Sequence, residues 1–599
     1  MRVPIGGKYL WAILLAGLIA VPWLLPGYLF GTDWPGPRHF AVPTDFSSGT
    51  LFDVMLVGIS AVISAEVTTK LLIVLATFAA GLGAFRALPA DGFVPRAIAA
   101  AIYVVNPFVY GRIHYGQLAL VAGYALLPWI AAQLLSLVRE PNWRQALTLA
   151  AELTALGILD LHLLIPVGVL VVAAAVTFGI SRRGERRYLI ELGRSLALAI
   201  GASFIASLYW LIPLLSGANL EGHAIAKIGT ADLAVFSASA DPDLGLIPNL
   251  LGLYGFWAED TGRFTSMKAF VPLWPVFLFV LLLLGALGAK AAVQESPSLP
   301  SPRGGGRFLR PWAFALLGGC AVALVLEMGV ANPVTDPLVR FLDSVFPPYR
   351  GMRDAGKWAA LIALAYAQLI PLGAIVVLGW VVRGPHPGPP PEGEGIRSRA
   401  PREGEGIRSG APREGEGNRY HAPRKGEEIR IGLATGLLLA LPLYYGNGLL
   451  FGLHGEVQPS SYPSGWYQAD RLLAADLHAG RTLFLPWHLY MGLGFVRNTN
   501  NVVASPAPSF FKVPVVISQD PEIPGIAPPT DPDQVAISRL VAESSGGDWA
   551  RELAGRNIKY VLLARELDWS QFRFLTSERG FALVADYGSI AVYRNIDWQ

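Results

Sequence analysis

A single cysteine, Cys320, is present in 599 residues. It sits in an apolar run, so no internal disulfide can form and any folded domain must rest on its core alone. Charge is scarce too: Asp, Glu, Lys and Arg make up 15% of the chain, against about a quarter in soluble domains. That scarcity excludes an ordinary water-soluble globule. The net charge of +3 provides no electrostatic footprint for nucleic acid. A nucleotide-binding glycine loop, zinc-ligand spacing, an exposed serine elbow and a metal-binding acidic triplet are all missing from the sequence. Asp241-Pro242-Asp243 and Glu259-Asp260 are the nearest approaches to the triplet.

What the chain does have is long apolar runs, with 53% hydrophobic residues. A helix of about 20 apolar residues crosses a hydrocarbon core of roughly 30 Å. The runs predict a polytopic α-helical membrane protein of about eleven spans. They lie near 9–30, 69–88, 96–111, 118–138, 145–160, 162–180, 195–215, 269–289, 311–330, 357–382 and 431–451. The first is followed by no small-residue cleavage site and reads as a retained span. Leu51–Ser64, which includes Asp53, is too short to cross and reads as a re-entrant or interfacial helix.

Orientation follows from the cations. With a cytoplasmic N-terminus, the inside loops hold Arg2 and Lys8, Arg86 and Arg96, Arg139 and Arg144, the Arg182–Arg194 cluster, Lys290 to Arg310, and the arginines of 383–430. The outside loops are long but carry far fewer Lys and Arg residues, which fits the positive-inside bias. This expectation places the protein in the plasma (inner) membrane, with residues 452–599 outside.

The expected domains are a transmembrane bundle at 1–383, a cytoplasmic insert at 384–430, a last span at 431–451 and an extracytoplasmic α+β domain at 452–599. The insert repeats with period eleven: PPPEGEGIRSR, APREGEGIRSG, APREGEGNRYH and APRKGEEIRIG. Its Gly and Pro content and lack of an apolar face predict disorder. Ser296–Gly306 is a second Pro/Gly/Ser linker. In the last domain, strands are predicted at Arg481–Trp487, Ile558–Leu563, Phe581–Ala585 and Ile590–Tyr593, the last two joined by an Asp-Tyr-Gly-Ser turn. Helices are predicted at Trp466–Leu477 and Gln534–Ala542.

Polar residues at membrane depth or in tight loops between spans carry the functional signal. Four places stand out, all on the predicted outer face. The first outer loop has Asp33 and Asp45; NPFVYGRIHYGQ has Arg112 and His114; a near-loopless turn has Asp160 and His162; FPPYRGMRDAGK has Arg350, Arg353 and Lys357. A carboxylate there suits a general base for an acceptor hydroxyl. Cations facing it suit a phosphate. Each place also has a plain structural reading, as interfacial helix ends, satisfied pairs or solvated loop charge.

Several phrases carry a resemblance. NPFVYGRIHYGQLALVAGYALLPW, LYWLIPLL, NLLGLYGFW, FPPYRGMRDAGKW and the closing NIKYVLL with YGSIAVYRN resemble GT-C superfamily membrane glycosyltransferases, in particular YfhO-like and arabinofuranosyltransferase-like members. The likeness spans the chain except the repeat insert. It implies sugar transfer from a polyprenyl-phosphate donor to a glycan, lipid or protein acceptor on the extracytoplasmic face, among membrane lipids. The family's acidic residue in the first outer loop maps to Asp33, or failing that to Asp45. The paired acidic residues many members show there are not present, no metal ligands are assigned, and a divalent metal stays an open option. A flippase for lipid-linked sugars and a non-catalytic envelope scaffold are the competing classes, although no repeated half of the transporter kind is visible.

Overall fold

A computed structural model describes residues 6–219, 222–223, 228–295, 308–383, 425–476, 478, 480–543 and 548–599. The linker at 296–306 and the insert from 384 to 424 lie outside the described residues. The insert's last residues do not: Lys425–Arg430 form the first turns of the helix Lys425–Tyr445, because Glu and Lys are good helix formers once the Gly-Pro pattern ends.

Among the described residues, ten helices are long and apolar enough to cross a membrane. The chain is a multi-pass membrane protein. The first nine helices in order are α1 (Gly7–Ala20), α2 (Thr50–Ile63), α3 (Ala65–Ala87), α4 (Phe93–Val104), α5 (Pro107–Tyr115), α6 (Leu118–Arg139), α7 (Trp143–Leu159), α8 (Leu164–Ser181) and α9 (Arg186–Ala206). The expected span at 145–160 is α7, with 17 residues and Glu152 among them, which keeps it below the other ten in length and apolarity. At 1.5 Å per residue it is about 25 Å long, most of a hydrocarbon core. Short links, three residues at Glu140–Asn142 and four at Asp160–Leu163, make it one leg of a tight antiparallel array with α6 and α8.

Two other expectations shift. The predicted span 195–215 falls on two helices, α9, which begins at Arg186 because the Arg, Glu and Leu before the apolar run extend it and which ends at Ala206, and a short helix at Leu208–Ser216. The predicted span 96–111 is two helices, α4 and α5. Asn106 precedes Pro107 and takes an extended conformation (φ −151°), and its side chain accepts from the Val109 N–H at 3.0 Å. The pair therefore ends one helix and caps the next. The short apolar α2 is present at the expected place, with Leu51, Val54, Met55, Ile59 and Val62 all exposed.

The bundle interior is closed by the helices Trp274–Val293, Leu309–Met328 and Ala359–Arg383. Gly288 and Gly373 let the first and last of these touch backbone to backbone. A Cβ on either would collide with a carbonyl of the other helix, the small-residue contact that membrane helices rely on.

The C-terminal region is α+β, as expected. Strands β1 (Arg481–Leu485), β4 (Val515–Val516), β5 (Ile558–Ala564), β6 (Phe581–Asp586) and β7 (Ile590–Asn595) form a mixed sheet in the order β4-β1-β5-β7-β6. β1 runs parallel to both β4 and β5, and β7 runs antiparallel to β5 and β6. Alternate residues serve two cores: Phe484 and Leu562 pack with Trp466 and Phe510, while Leu483, Leu485 and Val561 pack with Trp549 and Leu575. Burial on both faces explains the unbroken apolar runs that marked β1 and β5 in the sequence. A separate pair, β2 (Tyr490–Gly492) and β3 (Val502–Ala504), is antiparallel. Such short strands leave no sequence pattern, and they were not expected.

The loop between α1 and α2 is clasped between this domain and the bundle. Tyr28 bridges Ser460, the Tyr462 hydroxyl donates to Gly36 O at 2.8 Å, Arg38 pairs with buried Asp470 at 2.6 Å, and the Ala504 N–H donates to Thr32 O at 2.8 Å.

Candidate functional site

Asp33 lies in that clasped loop. Its backbone N–H donates to Tyr115 O at 2.7 Å, and the approach is close because α5 ends on Gly116 at φ +87°. A Cβ on Gly116 would lie 2.7 Å from the Trp34 Cβ, so the loop settles only on a glycine. The Asp33 carboxylate accepts from the Gln117 amide at 3.2 Å and from the Tyr490 hydroxyl at 2.9 Å. Burial pushes its pKa above the usual carboxylate value, with the Gln117 and Tyr490 hydrogen bonds pulling the other way.

Gln117 continues inward. Its side-chain oxygen accepts from Arg112 at 2.7 Å. Arg112, only 2% exposed, forms an ion pair with Asp354 and lies over the rings of Phe108 and Phe256. Burial acts to raise the Asp354 pKa, but Arg112, Lys357 and the Gly356 N–H hold it below its ordinary value. The cavity beside Arg112, lined by Tyr110, Tyr254, Phe256, Glu259 and Phe264, holds about 10 Å³. That is room for about one water and far short of a sugar, so a substrate must approach from the Asp33 side or from the open surface.

The third and fourth places in the sequence meet each other. Lys357 is buried and donates to Gly351 O at 3.1 Å. Gly351 packs on His162, whose ring a Cβ there would meet at 3.1 Å. His162 stands 3.3 Å from Asp160, which also accepts from the Leu163 N–H. Burial acts to raise the Asp160 pKa; the His162 and Lys357 charges and these hydrogen bonds hold it down.

Arg350, Arg353 and His162 differ from the buried groups behind them. Their side chains are 33%, 38% and 36% exposed. Arg353 pairs with Asp232 at 3.0 Å and lies over Phe236. The Arg350 Nε is 3.7 Å from Asp343 and makes no hydrogen bond among the described residues. Two half-buried guanidiniums flank Gly351, which packs on the His162 ring, with buried Lys357 behind, and such cations can take an anion.

Two predicted residues stand apart. Asp45 lies just ahead of α2, its carbonyl accepting from the Thr50 hydroxyl, and its charge bears on Asp53. His114 faces Phe264 and, at 3.7 Å, Glu456, which in turn accepts from Thr265. Its ring nitrogens make no hydrogen bond among the described residues.

Sequence reasoning missed Tyr490, Asp232 and Glu327. Glu327 is fully buried in the helix Leu309–Met328, and neither carboxylate oxygen has a hydrogen-bond partner among the described residues. An ionisable residue inside an apolar run was the signal that could have found it. Tyr490 and Asp232 carry no such signal. No group of three or more His, Cys, Asp or Glu side chains that could hold a metal ion occurs among the described residues. Among the described residues no such group fits a divalent metal, and no step below runs through one.

No protein-family model matches the chain, and no curated protein is similar to it in sequence. Solved structures are. A cryo-EM structure of the arabinofuranosyltransferase AftD from Mycobacteria superposes with a TM-score of 0.56 at 15% identity, covering 99% of this chain and 40% of that one. A structure of a mutant of the same enzyme gives 0.56 at 16% identity, with 99% and 42% covered. The chain therefore shares the fold of the part of AftD that it superposes on, over 99% of its own length, and it spans about two fifths of the AftD chain.

Proposed function

We propose that the protein transfers a sugar from a polyprenyl-phosphate-linked donor to a hydroxyl of a cell-envelope glycan, lipid or protein acceptor on the extracytoplasmic face. The observation that carries this reading is the join between Asp33 and the buried Arg112–Asp354 pair through Gln117, at the seam where the bundle meets the C-terminal domain. It gives one carboxylate of raised basicity, linked by hydrogen bonds to the ion pair whose Asp354 follows Arg353 in the chain.

In the proposed reaction the acceptor oxygen attacks the anomeric carbon while the bond from that carbon to the donor phosphate oxygen breaks. The acceptor proton passes to Asp33, and polyprenyl phosphate leaves with the bonding pair. Arg350, Arg353 and His162 hold the phosphate and its growing charge, since guanidiniums match phosphate oxygens in pairs. Lys357 and Arg112, both buried, set the potential from behind. A positioned base contributes on the order of 10²–10⁴-fold. Asp45 remains the second choice for the base, and a direct phosphate contact through His114 is not part of this reading.

The test uses purified full-length protein in nanodiscs with a radiolabelled polyprenyl-phosphate arabinofuranose, the sugar named in AftD, alongside the polyprenyl-phosphate sugars extracted from the host. Transfer that Asp33→Asn abolishes supports the reading. Accumulation of one lipid-linked sugar in a deletion strain identifies the donor. Passage of a lipid-linked sugar across the nanodisc-derived proteoliposome without transfer would establish the flippase instead.

A further inference from the structure

The C-terminal domain does more than cover the seam. The β2–β3 hairpin grips the first loop at two adjacent points. In its register Tyr490 stands opposite Ala504. The Ala504 N–H donates to Thr32 O at 2.8 Å, and the Tyr490 hydroxyl donates to Asp33 Oδ1 at 2.9 Å. The hairpin itself is anchored, since Met491, Leu493 and Val503 are fully buried in the domain core. From the bundle side, Tyr115 O takes the Asp33 N–H and Gln117 reaches Oδ2. Each carboxylate oxygen thus has one donor, one from each half of the protein, and each keeps lone-pair capacity for a substrate proton.

We infer that Tyr490 is a positioning residue for Asp33, so that the C-terminal domain completes the reactive carboxylate that the bundle alone leaves half held. This rests on Asp33 as the base in the proposed transfer. The tyrosine is suited to a donor-only role: burial, then the Asp33 charge and their hydrogen bond, push its phenol far above the ordinary value, so it keeps its proton across the working range. The groups bearing on Asp33 are Gln117, Tyr490, Asp354 and Arg112, and the Asp33 charge in turn bears on Tyr115, which Arg263 also faces. Of these, Tyr490 and Gln117 are the two that hydrogen-bond its carboxylate. Losing a donor to the ionised form raises a carboxyl pKa.

Tyr490→Phe in the full chain, in nanodiscs, tests this with two readouts. Infrared difference spectra titrate the protonated-carboxyl band that disappears in Asp33→Asn. Its midpoint should move to higher pH in Tyr490→Phe and stay in place in Tyr560→Phe, a control that removes a 2.7 Å bond to Asp476 in the same domain. In the transfer assay Tyr490→Phe should lower kcat about tenfold, the equivalent of one charge-assisted hydrogen bond, with donor KM unchanged and the acid limb of the rate moved in step with the band. An unmoved midpoint overturns the inference. A midpoint that moves while the acid limb stays shows that Asp33 is not the base, which overturns the proposed function's assignment and the positioning role with it.

Discussion

Arg112 and Asp354 stand 242 positions apart and close into an ion pair that is almost wholly buried. Breaking a buried pair strands the surviving charge, typically at a cost of about 3–5 kcal/mol. Asp354→Ala should therefore lower the thermal midpoint in detergent sharply. The double change Arg112→Met with Asp354→Leu should recover most of that loss, because no lone charge remains, while activity stays absent. A double variant as unstable as Asp354→Ala would show that the pair also stabilises through contacts other than its charge.

Asp33 is expected to act ionised. Its pKa lies above the usual carboxylate value because it is buried, so transfer should fall as pH drops through that raised pKa rather than near 4. The stability sign is opposite to the activity sign. A carboxyl with a raised folded pKa binds its proton more tightly when folded, so it burdens the fold above that pKa and the burden lifts as pH falls. Asp33→Asn should thus keep or raise the melting temperature at neutral pH while abolishing transfer. A large drop in melting temperature would reassign Asp33 to structure.

Asp160 and Asp354 should behave the other way. Their folded pKa values are depressed by His162, Lys357 and Arg112 against the pull of burial. Their contribution is full above the unfolded carboxylate pKa and is lost as pH falls through the lower folded values. Wild-type protein should lose stability in that acid range, and Asp160→Asn should flatten the loss. An acid-unfolding curve that is the same in both would remove Asp160 from the account.

Arg353 and Arg350 are expected to read donor phosphate. Arg353→Lys keeps the charge and loses the fork, so donor KM should rise several-fold with acceptor KM little changed. Arg350→Ala should do the same more strongly, because Arg350 has the weaker internal partner. Equal donor KM in wild type and in both variants would take the two arginines out of the site.

The membrane orientation rests on charge asymmetry alone. In a Cys320→Ala background, a membrane-impermeant thiol reagent applied outside should label Ser464→Cys, which is exposed at the start of a C-terminal-domain helix, and should miss Ser398→Cys in the insert. The reverse labelling would invert the topology and move the proposed chemistry to the cytoplasmic side.

The apolar runs were legible because length and hydropathy are local properties. They located ten crossing helices and α7, but the run at 96–111 broke into α4 and α5 at Asn106-Pro107, helix-forming charged residues drew α9 back to Arg186, and the first and last helices end six residues before their runs do. The strands β1, β5, β6 and β7 were legible from apolar runs and a turn. β2, β3 and β4 were not, since two or three residues carry no period. Asp33, Arg112, Asp160 and Arg353 stood out because charge beside a span is costly and therefore conspicuous. His162, the partner of Asp160, stood out for the same reason, whereas Tyr490 and Asp232 did not.

The sequence by itself determined that this chain crosses a membrane many times, that its charged residues between spans gather in four places, and that an α+β domain follows the last span. The tertiary structure alone decided which of those places touch. Asp33 meets Tyr490 across 457 positions because a domain docks on a loop, and Arg353 meets Asp232 across 121 because the short helix Thr230–Val235 carries Asp232 to it. Hydropathy fixes where each segment sits relative to the bilayer, one segment at a time. Pairing depends on how helices pack around Gly116, Gly288 and Gly373 and on how the C-terminal domain seats, and those are properties of the whole chain at once.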